Sequence, residues 1–88
     1  MLKKKLLVQN KLGLHARASS KLIKQAACYQ SDVHIACGEK TANGKNIMEV
    51  MMLAASQGAV IELIISGPDE EAAMAALETL INHRFGEQ

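Results

Sequence analysis

The chain has 88 residues, with 10 Lys and Arg against 9 Asp and Glu and a formal charge of +1. A chain of that length forms one domain and buries only about 60–65% of its unfolded surface, so function is expected on the surface rather than in a deep cavity. The even charge balance, with Tyr29 and Phe85 as the sole aromatic residues, argues against a protein that grips nucleic acid by electrostatics or by base stacking.

Cys28 and Cys37 lack the paired spacing of a zinc site. Two free, buried thiols in a reducing cytosol are expected, a disulfide being the alternative. The apolar run behind Lys3, Lys4 and Lys5 is too short for a signal-peptide core, and no segment approaches the ~20 apolar residues of a membrane span. A soluble cytoplasmic protein, without membrane insertion, is the expectation.

Residues 2–8 predict a strand, with Leu2, Leu6 and Val8 on one face and Lys3 and Lys5 on a solvated one. After the break at Asn10-Lys11-Leu12-Gly13, residues 16–27 predict a helix whose core stripe is Leu22, Ile23, Ala26 and Ala27. Val33, Ile35 and Cys37 alternate with the polar His34 in a second strand, and residues 40–42 predict a third. Asn43-Gly44 is a turn signal. Asn46 followed by Glu49 has the spacing of a capping box at the start of a short helix over residues 47–53. Residues 60–66 predict a fourth strand, and Gly67-Pro68-Asp69 opens a last helix with Glu70 and Glu71 in its first turn. Ala73, Ala76, Leu77, Leu80 and Ile81 form its buried stripe. The order β-α-β-β-α-β-α implies an α+β open-faced sandwich, with the helices on one face of a small sheet.

The stretch with chemistry in it is Gly13-Leu14-His15-Ala16-Arg17. His15 falls at the start of the first helix, where unpaired backbone amides favour an anion. Arg17 adds a guanidinium fork matched to phosphate oxygens, and Gly13 lets the loop approach without a side chain. The positive helix end also favours the neutral imidazole, which can attack phosphorus. A helix end contributes only ~0.3–2 kcal/mol, enough to orient a phosphoryl group and too little to trap it. A single histidine near a helix start also serves as a cap or a surface residue, so the local pattern leaves those readings open. Ser19 and Ser20 follow the site and are expected to be solvated in the first turn. His34 and His83 are expected on the surface.

Residues 10–17 and 43–55 resemble the two signature regions of the histidine-containing phosphocarrier (HPr) family of the phosphotransferase system. Gly13-Leu14-His15-Ala16-Arg17 matches that family's Gly-Leu-His-Ala-Arg-Pro motif and departs at Ala18, where the family has proline. Asn43-Gly44-Lys45-Asn46-Ile47-Met48 and Val50-Met51-Met52-Leu53-Ala54-Ala55 match the second region, and the resemblance covers essentially the whole chain.

The resemblance implies an open-faced β-sandwich of four antiparallel strands and three helices. It also implies that enzyme I, charged from phosphoenolpyruvate, phosphorylates Nδ1 of His15, which passes the group to a histidine of an enzyme IIA protein. Arg17 and the backbone amides of Ala16 and Arg17 would hold the phosphoryl oxygens. The carrier, expected to be a monomer, would need no metal and no organic cofactor, and would not be a stand-alone catalyst. Many family members carry a kinase-regulated serine where this chain has Asn46, which keeps the helix cap and lacks the hydroxyl.

Met48, Met51 and Met52 cannot all face inward. Either Met51 or Met52 fills the core, or Met48 and Ile47, with Met51, form an apolar docking patch, the use the family makes of this helix. A regulatory binding module reading partners through the His15 and Met48 face is the competing function. A stand-alone hydrolase would need a further acid or base near His15, and only Arg17 lies close in sequence.

Overall fold

In the computed structural model, which describes residues 1–87, the chain runs β1 (Leu2–Leu7), α1 (Ala16–Ala27), β2 (Asp32–Cys37), β3 (Lys40–Asn43), α2 (Ile47–Met52), β4 (Val60–Ser66) and α3 (Glu70–Asn82). A short turn, Arg84–Gly86, follows. The strands pair antiparallel in the order β1-β4-β2-β3.

Period-two alternation gives the sheet a buried face. Leu6 of β1, Val33 and Ile35 of β2, Ala42 of β3, and Ile61, Leu63 and Ile65 of β4 join one apolar cluster. Leu22 and Ala26 of α1, Val50 of α2, and Ala73, Met74, Leu77 and Ile81 of α3 complete it. Three helices therefore cover one face of the sheet. Lys3, Lys5, His34 and Asn43 are exposed.

Several side chains lie elsewhere than the sequence suggests. The register sets Leu2, Lys4 and Leu6 opposite Ile65, Leu63 and Ile61, so Lys4 belongs to the helix-bearing face rather than to a solvated Lys3–Lys5 surface; its Nζ donates to Glu78 of α3 at 2.9 Å. Ala27 is exposed, because the α1 stripe runs through Ala18, Ser19, Leu22 and Ala26. On α3, Met74 joins the core while Ala76 and Leu80 are half-buried. The cysteines are free, but neither is buried: Cys28 lies past the end of α1 and Cys37 beside the turn at Gly38, exposed and half-buried respectively.

Asp69 precedes α3 without capping it. Its carboxylate reaches back to the β2 entry, accepting from the amides of Gln30 and Ser31 at 2.9 Å each and from the Ser31 hydroxyl. The Ser31 hydroxyl, then the Gln30 amide, hold the Asp69 carboxyl below the usual carboxylate range. A carboxyl with a depressed folded pKa stabilises fully above its unfolded value, and that contribution disappears as pH falls through the folded one. Urea denaturation should therefore show Asp69→Asn less stable than wild type at neutral pH, the gap closing as pH falls below the ordinary value of 3.8.

Candidate functional site

The loop between β1 and α1 is held from beneath. Gly13 has φ of 64°, and a β-carbon there would lie 2.4 Å from the Ala55 carbonyl oxygen and 2.7 Å from Cα of Ser56. The next amide, Leu14 N–H, donates to that Ala55 carbonyl at 2.9 Å. Glycine is thus required for docking the loop on the segment before β4, not for clearing space above an anion. Ser19, expected in solvent, is buried, and its hydroxyl donates to the Leu14 carbonyl at 3.0 Å. It ties the first turn of α1 to the loop.

That anchoring makes His15 the N-cap of α1, with extended backbone at φ −74° and ψ 179°. Its Nδ1 accepts from the backbone N–H of Arg17 at 3.3 Å. Its Nε2 lies 2.7 Å from Oε1 of Glu87. An ionised carboxylate accepts and cannot donate, so Nε2 carries the proton and Nδ1 the lone pair. The ring is about a quarter exposed, with a side-chain accessibility of 26%.

Glu87 arrives from 72 positions away. After α3 the chain turns through Arg84, Phe85 and Gly86 with φ of 57°, 55° and 74°. Phe85 is buried, and its carbonyl accepts from Nζ of Lys21 on α1 at 2.6 Å. The tail is so laid along α1 to His15. Asn10, fully buried, donates through Nδ2 to Glu87 Oε1 at 2.9 Å and to the Gly13 carbonyl at 2.7 Å. The Asn10 amide, then the His15 ring, hold the Glu87 carboxyl below its ordinary range.

An open groove of about 670 Å³ is lined by Lys11, Leu12, His15, Ala16, Arg17 and Glu87. The structure sets His15, Ala16 and Arg17 along one groove and adds three residues to which the sequence assigned no role there. Lys11 is a second exposed cation beside Arg17. Asn10 falls in the first signature region with no role implied for it, and the Glu87 carboxylate gives no sign in sequence of which loop it meets. The hydrolase alternative counted Arg17 alone as a neighbour of His15; Glu87 is another, but it occupies Nε2, on the far side of the ring from Nδ1.

At α2, Asn46 is the N-cap and its Oδ1 accepts from Glu49 N–H at 3.1 Å. The reciprocal half of the expected capping box is absent: Glu49 Oε1 accepts from Asn43 N–H at 2.9 Å, because Asn46 N–H is already bonded to the Asn43 carbonyl. Val50, and Leu53 just past the helix, supply the buried contacts of this segment. Neither Met51 nor Met52 fills the core; they are 38% and 69% exposed, and Met48 is 66% exposed. Ile47 is half-buried beside them. Among the described residues no cluster of His, Cys, Asp and Glu could hold a metal ion, and no helix is long and apolar enough to cross a membrane.

Known proteins share this fold over the whole chain. The family model for the HPr component phosphorylation site of the phosphotransferase system matches residues 2–83. A phosphocarrier protein HPr of Neisseria meningitidis serogroup A is 52% identical over 87 residues, 99% of this chain and 98% of its own length. A phosphocarrier protein NPr of Shewanella violacea is 36% identical over 98% of this chain and 94% of its own length. The crystal structure of HPr-C-His from Thermoanaerobacter tengcongensis superposes with a TM-score of 0.96 at 39% identity, covering 100% of this chain and 99% of that one. The chain belongs to the HPr family of phosphocarrier proteins of the phosphotransferase system.

The Gly13 geometry has a direct consequence. Gly13→Ala combines a left-handed backbone with a clash against backbone atoms, and should cost roughly 2–3 kcal/mol in urea denaturation.

Proposed function

We propose that this phosphocarrier takes a phosphoryl group from phosphorylated enzyme I onto Nδ1 of His15 and passes it to a histidine of an enzyme IIA protein, in the cytoplasm. The observation that carries this reading is the pair of hydrogen bonds on the His15 ring. Nε2–H is held by Glu87, and the lone pair on Nδ1 faces the start of α1 and a groove carrying Lys11 and Arg17.

In uptake, the Nδ1 lone pair forms the new bond to phosphorus as the bond to the donor breaks and its electron pair leaves with the donor. The ring then carries positive charge across both nitrogens, and the Glu87 carboxylate is placed to stabilise it, as a buried acid does for a catalytic imidazolium. The Arg17 N–H, with that of Ala16, donates to the phosphoryl oxygens, while the guanidinium of Arg17 neutralises them. Transfer onward reverses these steps. The site supplies orientation and modest electrostatics, as a carrier that must release its cargo requires.

Ile47, Met48 and Met51 form the docking patch for both partners in this reading. They lie on α2, which packs against α1, and exposed methionines adapt to more than one surface. The branch, sugar transport or nitrogen regulation, is decided by which enzyme I phosphorylates the chain faster.

With phosphoenolpyruvate, Mg²⁺ and enzyme I, an acid-labile phosphate should appear on His15 and be abolished in His15→Ala; full labelling of that variant would refute the assignment. Arg17→Ala should label about 10-fold more slowly or worse. An HPr kinase with ATP should leave residue 46 unmodified, since the Asn46 carboxamide has no hydroxyl, and phosphate found there by mass spectrometry would contradict this.

A further inference from the structure

We propose that Asn10 is a positioning residue for phosphoryl uptake, its amide nitrogen holding the Glu87 carboxylate on Nε2 of His15 so that the nucleophilic lone pair stays on Nδ1. This rests on the carrier reading above and assigns a role to a side chain outside the phosphoacceptor motif.

Asn10 forgoes a hydrogen bond. It is fully buried, and its Oδ1 meets no donor among the described residues. An unpartnered buried acceptor is unfavourable, and an apolar side chain of similar size would avoid it. What an apolar residue cannot supply is the amide nitrogen, and both of its hydrogens are in use. One goes to the Gly13 carbonyl at 2.7 Å, inside the phosphoacceptor loop, and the other to Glu87 Oε1 at 2.9 Å. That same oxygen receives His15 Nε2–H at 2.7 Å. A single buried group thus fixes the carboxylate relative to the loop that carries the nucleophile. Aspartate at this position would set a like charge against Glu87, and serine would be too short to span both acceptors.

The link matters because neutral imidazole has two tautomers. With the proton on Nδ1, the lone pair is on Nε2 and faces a carboxylate, and Nδ1 has nothing with which to attack phosphorus. Holding an acceptor at Nε2 excludes that form. The tail already follows a fixed path through buried Phe85 and its carbonyl bond to Lys21; Asn10 sets the last step.

Long-range proton–nitrogen NMR of the full chain in alkaline solution, where imidazoles are neutral, reads the tautomer of each histidine, with exposed His34 and His83 as internal references. In Asn10→Asp the Nε2–H population of His15 should fall, and the rate of phosphoryl uptake from enzyme I should drop about 10-fold at unchanged KM. In a Glu87→Ala background the same substitution should add little to either. A folded Asn10→Asp protein with an unmoved His15 tautomer overturns the proposal. Should that variant not fold, Glu87→Ala alone carries the test: the Asn10 side-chain amide must lose the shift and exchange protection of one hydrogen bond, and unchanged resonances overturn the link. Absence of phosphate on wild-type His15 overturns the carrier reading and the kinetic half of this one, whereas normal labelling with an unmoved tautomer overturns the role of Asn10 alone.

Discussion

An imidazole has two nitrogens, and a phosphoryl group can be accepted at a chosen one only if the proton is kept on the other. Around His15 two partners of opposite character impose that choice. The backbone N–H of Arg17 can only donate, and it faces Nδ1; the carboxylate of Glu87 can only accept, and it faces Nε2. Reversing both partners would exchange the roles of the two nitrogens. The rest of the fold around the site brings these partners within reach of one ring, the first by starting a helix at Ala16 and the second by returning the tail across it.

Different forces secure the two sides. The loop side is rigid: Gly13 is seated against backbone, Leu14 is bonded to Ala55, and the buried Ser19 hydroxyl closes the first turn. The tail side is finely balanced. Two non-glycine residues in left-handed backbone, Arg84 and Phe85, cost roughly 1–2 kcal/mol each. Burying the Phe85 ring contributes about 1.5–3 kcal/mol, and the Lys21 bond to its carbonyl about 1 kcal/mol. These terms nearly cancel, so the hydrogen bonds around Glu87 weigh heavily in whether the tail stays down.

Most of the fold was legible in the sequence, because its signals are local. Alternation in residues 60–66 and the three-to-four spacing in residues 16–27 mark a strand and a helix, and the observed elements fall within a residue or so of those bounds. His15 and Arg17 were legible for the same reason, lying side by side in one motif at a helix start. What pattern could not reveal depends on contacts between distant segments. Lys4 looked like part of a solvated run until the pairing register set it opposite Leu63. Ser19 looked like a first-turn serine until the loop folded back to offer it the Leu14 carbonyl. The spacing of the α2 methionines could not say which of them faces inward, and the burial of Val50 and Leu53 in their stead leaves all three exposed. Glu87 and Asn10 meet at a separation of 77 positions, and no periodicity announces such a meeting.

The placement of Lys4 has a consequence for the company the molecule keeps. β1 lies at one rim of the sheet, with a row of amides and carbonyls that an extended segment of another chain could match. A ladder added there would bring its own side chains against an ammonium group already committed to Glu78, on the side where a newcomer would need to be greasy. A lysine on the helix-bearing side of a rim strand is thus a deterrent to indiscriminate strand addition.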